Sequence, residues 1–381
     1  MRSTSREPRN ALPALTSIRF FAALWVVVSH LAVMGYVNFS APVRWVVGDS
    51  RPAVTFFFVL SGFILAHNYG DGLDGEGMRR FYVARFARIY PMLVFSLLLA
   101  VPVTAILLIS DDRVHLFEWY GIQGNPALPL IASLLAQLLC LTAWLPFSAI
   151  NQPWDGPTWS ISCEAFFYLA FPLLVAFVKR LPPGRRGMLL LAGFCAQGLW
   201  IAALLRFVPA SRSGHLISQF PLTHLFEFVL GIAVQCYCRE LQRGGQSYDR
   251  RALGASLLAV LAVGVLSVWR PVEPAYFLLS PCFALLVGGI AMQKRPAWGL
   301  LGLRPMVVLG EASFSLYLIH VPLIHLAELA GIGQRGALAL LAGLVALSVI
   351  LFFTIERPMR LAILRRYAQR ATTAPSPAIT A

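Results

Sequence analysis

Long apolar stretches separated by short polar connections run along almost the whole chain. Eleven can be marked, near 12–36, 52–70, 91–109, 128–148, 157–178, 187–206, 221–238, 252–269, 275–292, 307–329 and 334–355. Most approach the roughly 20 residues that a helix needs to cross the hydrocarbon of a bilayer. The pattern therefore predicts an all-α fold, a polytopic transmembrane helical bundle. Composition agrees: of 381 residues 58% are hydrophobic and 13% charged, with mean hydropathy +0.71. A soluble domain keeps roughly a quarter of its residues charged. No internal repeat and no soluble domain is visible.

Charge sharpens the topology. The net charge of +14 is carried by short clusters between apolar stretches: Arg79/Arg80/Arg85/Arg88, Lys179/Arg180/Arg185/Arg186, Arg239/Arg243/Arg250/Arg251, Lys294/Arg295/Arg304 and Arg357/Arg360/Arg365/Arg366. This is the positive-inside pattern of cytoplasmic loops. A nucleic-acid binder would gather its basic residues on a soluble face, so no nucleic-acid partner is expected; the bilayer is. The 71–90 and 179–186 loops both belong inside, so an even number of crossings separates them, yet three apolar segments lie between. One of the three does not cross. Segment 128–148, followed by the Pro- and Gly-bearing run 146–157, is the candidate for a re-entrant or interfacial segment, which is tolerated where protein or a water-filled cavity satisfies its backbone.

The expectation is about ten spanning helices plus that segment, both termini in the cytoplasm. Three regions follow: a cytoplasmic N-terminal segment 1–11, a membrane domain 12–360, and a disordered tail 361–381. The basic N-terminus precedes an apolar stretch that contains Arg19 and His30, which reads as a retained first span rather than a cleaved signal. The six cysteines lie in apolar stretches and read as buried small hydrophobes. No metal site is expected.

An ionisable side chain at membrane depth is costly and marks a cavity or a partner. Arg19 and His30 are eleven residues apart, which brings them within roughly 20° of one helix face and about 16 Å apart along the axis. Snorkelling of the arginine and packing of the histidine would explain each alone. The second span carries Phe56-Phe57-Phe58-Val59-Leu60-Ser61-Gly62-Phe63, where Ser61-Gly62 suits close helix packing. Arg85 and Arg88, at i,i+3 among aromatic residues, suit multidentate phosphate contacts. In Trp159-Ser160-Ile161-Ser162-Cys163-Glu164-Ala165-Phe166-Phe167-Tyr168, Ser160, Glu164 and Tyr168 form one polar stripe, and Glu164 needs a proton, a cation or donors. His224 and Glu227 lie one turn apart. Tyr317 and His320 share a face just before Pro322.

Taken together, the arginine and histidine of the first span, FFFVLSGF, the paired arginines, WSISCEAFFY, FSLYLIHVP and a terminal Glu356-Arg357-Pro358 resemble the acyltransferase-3 family of integral-membrane O-acyltransferases over about 12–360. The resemblance implies acylation, usually acetylation, of sugars in surface polysaccharides and related glycans, with some members modifying macrolides. It implies acetyl-CoA or another acyl-CoA as donor, and a glycan or lipid-linked sugar as acceptor. Carried over by position, Arg19 and His30 match its arginine–histidine motif, Arg85 and Arg88 its paired arginines, and Glu164 its WSxSxE glutamate; Cys163 beside it is not read as a nucleophile. Many relatives add a C-terminal extracytoplasmic esterase-like domain. This chain stops just past its last span, so transfer is expected within the membrane domain or through a separate protein.

Acyl transfer to a hydroxyl needs a base, a donor site and oxyanion stabilisation. His30 is the natural base, with Glu164 as the carboxylate expected behind it and Arg19, Arg85 and Arg88 along the donor path. The remaining polar candidates, as substrate contacts or structure, are Ser61, Trp159, Ser160, Ser162, Tyr168, His224, Glu227, Tyr317 and His320. A macrolide or lipid acceptor stays open. So does a transporter that uses the buried Arg, His and Glu as a path.

Overall fold

The computed structural model describes residues 12–40, 43–44, 47–71, 73–244, 249–268, 276–293 and 299–373; the N-terminal arginines, Lys294 and Arg295 lie outside them. Fifteen helices are used below: α1 Pro13–Val33, α2 Arg51–Tyr69, α3 Gly75–Ile109, α4 Arg113–Glu118, α5 Ala127–Leu138, α6 Ser148–Asn151, α7 Trp159–Arg180, α8 Pro183–Phe207, α9 Ala210–Ser218, α10 Leu225–Arg243, α11 Asp249–Val268, α12 Ser280–Ala291, α13 Arg304–Leu329, α14 Ala337–Leu351 and α15 Arg357–Thr373. No strand occurs among the described residues.

Seven of the described helical segments are long and apolar enough to cross a membrane: 13–33, 51–69, 75–109, 156–180, 183–207, 304–329 and 334–370. The expected ten crossings would add α10, α11 and the shorter apolar stretch Tyr276–Ala291. The segment set aside by charge parity behaves differently from the rest. Its helix α5 has 12 residues, about 18 Å of rise against a core of about 30 Å. It then breaks into short turns, with non-glycine residues Cys140 and Trp154 at φ 54° and 64°. Side chains cap this irregular backbone: Ser162 Oγ donates to the Cys140 carbonyl at 2.6 Å, Asn151 Nδ2 to that of Leu145 at 3.0 Å and Trp154 Nε1 to that of Leu130 at 3.0 Å. Backbone satisfied within the protein is what a non-crossing segment at membrane depth requires.

Two expectations are corrected. Residues 75–90 are not loop but the first turns of α3, started by the Asp74 side chain, which accepts from Gly77 N at 2.9 Å. With 35 residues α3 rises about 50 Å, so Arg79–Arg88 can be helical and still lie toward the basic end. The segment 361–381 begins as helix: α15 continues from a π-helical turn at Phe352–Glu356 and runs to Thr373, and 374–381 lie outside the described residues.

Small residues set the closest helix crossings. A Cβ on Gly62 of α2 would stand 2.0 Å from the Phe228 carbonyl oxygen of α10, and one on Gly231 2.0 Å from that of Val59. Likewise, a Cβ on Gly310 of α13 would meet the Thr16 carbonyl oxygen of α1 at 2.0 Å. That contact locks α1 against α13, the two helices that carry His30 and His320. At the basic end, Lys179 and Arg239 both reach Asp71, and Arg186 Nη2 meets Glu240 at 2.6 Å. These bonds tie the ends of α2, α7, α8 and α10 together.

Candidate functional site

Among the described residues, two cavities gather most of the polar candidates. The first, of about 130 Å³, is lined by Arg19, Ser61, Arg85, Arg88, Ser160, Glu164, Tyr168 and Tyr317 among others. The second, of about 750 Å³, is lined by His30, Asp49, Arg51, Glu118, Trp119, Trp159, Tyr317, His325 and Glu328 among others. Val54 and Tyr317 line both. The chambers therefore adjoin at those two side chains, with Arg19 on one side and His30, from the same helix, on the other.

The arginine cavity is held by aromatic rings and two carboxylates. Arg85 Cζ lies 5.3 Å from the Tyr69 ring centre, 5.6 Å from Tyr168 and 5.9 Å from Phe81, and its Nη2 donates to Tyr69 Oη at 3.2 Å. The aromatic residues interleaved with arginines thus frame a buried cation. Arg88 pairs with Glu356, which is 1% exposed and also accepts from Ser315 Oγ at 2.6 Å. Glu164 accepts from Tyr168 Oη at 2.7 Å. Three arginines against Glu164 and Glu356 leave an excess of positive charge, suited to an anion.

His30 has a different neighbour from the one expected. Glu164 lies in the arginine cavity, whereas the ring nitrogen Nδ1 of His30 is 2.9 Å from His320 Nε2. His320 is fully buried, and its Nδ1 is 2.6 Å from the Tyr317 carbonyl oxygen. A carbonyl only accepts, so His320 Nδ1 carries the proton, and in the neutral ring Nε2 is an acceptor. His30 Nδ1–H must then donate to it, which leaves His30 Nε2 with a free lone pair. The chain Tyr317 carbonyl–His320–His30 sets the tautomer a general base needs.

Where the chambers meet, Tyr317 Oη is 2.7 Å from Ser160 Oγ and donates to the Pro157 carbonyl at 3.1 Å. The larger cavity has an aromatic wall, with the Trp119 indole stacked on His325 at 4.0 Å and 3°. At its rim Asp49 is held by Arg51 and Tyr276. Burial pushes the Asp49 carboxyl up, but the hydrogen bonds and charge of Arg51 outweigh that and hold it below the usual carboxylate range.

Other candidates fall outside the meeting point. Ser162 holds the turn at Cys140 and also accepts from Ala143 N at 3.3 Å. His224 Nδ1 lies 3.5 Å from Glu227 Oε1, which accepts from Gln197 Nε2 at 2.9 Å. That pair lines a separate void of about 10 Å³. Sequence reasoning passed over Asp155, which is fully buried; burial pushes it up to about 8, against a smaller lowering by the nearby Ser96 hydroxyl. Among the described residues no group of three His, Cys, Asp or Glu side chains is arranged to hold a metal.

The acyltransferase-domain family matches residues 12–357. The chain is 31% identical to the acyltransferase MdmB of Streptomyces mycarofaciens, with 96% of each chain covered. It is 24% identical to nodulation protein 10 of Rhizobium leguminosarum bv. viciae, covering 90% of this chain and 91% of that one. It is 22% identical to the peptidoglycan O-acetyltransferase OatA of Listeria monocytogenes, where 94% of this chain spans 57% of the longer relative. No solved structure matches. The apolar helices, the family match and these relatives agree: the chain belongs to the acyltransferase-3 family and is a membrane O-acyltransferase.

Proposed function

We propose that the protein transfers an acyl group, acetyl in the first instance, from acyl-CoA to a hydroxyl of a sugar in a surface polysaccharide or related glycan. The carrying observation is the pair of cavities that adjoin at Tyr317 and Val54, arginines on one side and His30 on the other. The basic end faces the cytoplasm in this reading, and the acyl-CoA thioester enters from there toward Arg19, Arg85 and Arg88. The acceptor occupies the larger chamber. Peptidoglycan in the name of one relative supports a glycan, and the aromatic wall of Trp119 and Trp159 suits a sugar face.

His30 Nε2 takes the acceptor's proton as its oxygen attacks the thioester carbon. The resulting imidazolium keeps its Nδ1–H on His320, as an oriented base does in a catalytic triad. The Tyr317 hydroxyl, at the junction, becomes the donor for the oxyanion by turning its proton away from the Pro157 carbonyl, which Ser160 Oγ also reaches at 3.1 Å. Collapse breaks the carbon–sulfur bond, and His30 returns the proton to the CoA thiolate. Glu164 then serves the arginine side, anchoring Tyr168 and balancing the cations, rather than backing His30.

The test is thiol release by purified protein given acetyl-CoA and a panel of glycan, macrolide and lipid acceptors. Acceptor-dependent release that disappears in His30→Ala, with normal protein abundance, supports the proposal. Release that is equal in His30→Ala removes the assigned base, and no release with any acceptor removes the acyl-CoA reaction.

A further inference from the structure

The arginine cavity can take the thioester end of a CoA donor but not its other end. At about 130 Å³ it falls below the roughly 300–1,000 Å³ of pockets that enclose a drug-sized ligand. A purine nucleotide with its phosphates has to lie elsewhere. On the neighbouring flank of α3 a groove of about 500 Å³ runs between α3 and α15, lined by Tyr82, Phe86, Ile363, Arg366, Tyr367 and Arg370 among others.

The groove and the arginine cavity share one helix wall. Tyr82 and Phe86 face the groove, while Arg85 and Arg88 line the cavity. The whole 82–88 stretch rises only about 9 Å, less than the length of an extended pantetheine arm. The offset along the helix axis is therefore short enough for one extended donor to reach from the groove round the α3 wall to the arginines.

The chemistry of the groove is specific in kind. Three aromatic rings, Tyr82, Phe86 and Tyr367, stand beside two guanidinium groups, Arg366 and Arg370. Phe86 is 51% exposed and stacked on Tyr90 at 4.7 Å, so a flat surface faces outward. A nearby carboxylate, Glu76, is engaged by Arg80 Nε and by Tyr367 Oη, each at 3.2 Å. Arg79 and Arg80 also act electrostatically on the Tyr367 hydroxyl. Positive charge therefore exceeds negative around a set of stacking faces, which suits a phosphorylated purine.

We propose that this groove binds the adenosine 3′,5′-bisphosphate end of the acyl-CoA donor, the purine against the Tyr82, Phe86 and Tyr367 rings and the phosphates against Arg366 and Arg370. The inference rests on the acyl-CoA reading above and adds where the nucleotide sits. A lipid headgroup shares the phosphate but lacks the purine, and the test separates the two.

The experiment measures binding of CoA, 4′-phosphopantetheine and adenosine 3′,5′-bisphosphate to the full chain in nanodiscs of zwitterionic lipid. The wild type is compared with the surface double variant Arg366→Gln/Arg370→Gln and with Arg85→Ala. The expected result is that the double variant loses about tenfold or more in CoA affinity and loses the bisphosphate, while 4′-phosphopantetheine binds as in wild type. Arg85→Ala weakens CoA and 4′-phosphopantetheine alike. The wild type alone supplies a variant-free readout, because adenosine 3′,5′-bisphosphate should compete with CoA. Unchanged CoA affinity in the double variant, or equal losses for CoA and 4′-phosphopantetheine, overturns the groove. So does a double variant altered only in its binding of added phosphatidylglycerol. If the wild type binds none of the three CoA-derived probes, the donor assignment itself fails, and the groove with it.

Discussion

His320 is the residue through which the geometry makes its sharpest claim. Replacing it with alanine removes the acceptor of the His30 Nδ1–H bond, 2.9 Å long in the folded protein. A partly buried donor that loses this acceptor, with the Val26 carbonyl as its remaining neighbour, costs up to about 1–3 kcal/mol. If that loss falls on the transition state, where His30 is charged and holds the bond most strongly, kcat falls about 5- to 150-fold at 1.4 kcal/mol per decade. His320 belongs to the second chamber's side of the site, so the KM for acetyl-CoA should stay near wild type. Glutamine can place a carbonyl oxygen where Nε2 stands, so His320→Gln should recover most of the lost rate. The assay is steady-state thiol release in detergent at matched abundance and matched melting temperature. A His320→Ala enzyme with wild-type kcat would refute the tautomer chain. A Gln variant as slow as Ala would show that His320 acts through packing instead.

Three further outcomes follow from the packing and the buried charges. Gly231→Ala puts a methyl 2.0 Å from a backbone oxygen and 2.8 Å from the Phe63 nitrogen, so α2 and α10 must separate. Overpacking of this kind costs about 1–3 kcal/mol, seen as a lower melting temperature by fluorescence-detected size exclusion; an unchanged melt contradicts the crossing. Glu356→Ala strips both Arg88 and Ser315 of their acceptor, and breaking a buried pair costs about 3–5 kcal/mol. It should lower stability and raise the donor KM together, whereas a stability loss with unaltered donor KM would detach Glu356 from the donor site. Asp155, at about 8 instead of 3.8, keeps a proton in the folded protein that the unfolded chain gives up near pH 4. Its contribution to stability is therefore full below pH 4 and is lost as the pH rises toward 8, by up to about 1.4 kcal/mol per pH unit. Melting curves between pH 5 and 8 should fall more steeply for wild type than for Asp155→Asn, and equal slopes would sink the assignment.

Helical membrane architecture is legible in the sequence because a span's apolar run is local. Charge placement imposes a parity on the loops and so singles out 128–148, the segment that the structure builds as a 12-residue helix followed by short turns. The same emphasis on charge obscured Gly75–Tyr90: four arginines suggest a loop, yet an Asp74 cap begins the helix there. Spacing likewise relates only residues on one helix. It joins Glu164 to Tyr168 and His224 to Glu227, both seen in the structure. It has no access to pairs such as His30–His320 or Arg88–Glu356, which are 290 and 268 residues apart. Glu164 was assigned to His30 by analogy with a triad, but the nearer acceptor came from α13, brought in by the close approach at Gly310. Asp155 gave no signal because its surroundings, not its neighbours in sequence, bury it.

The central claim is that an acyl group passes between the two chambers at His30. On the proposed topology, inverted membrane vesicles from cells expressing the protein present the basic end outward, and radiolabelled acetyl-CoA can be supplied from that side alone. Wild-type vesicles are expected to incorporate label into a glycan or lipid-linked glycan fraction recovered from the lumen, and His30→Ala vesicles of equal protein content to incorporate none. Equal luminal incorporation in the two would contradict the account.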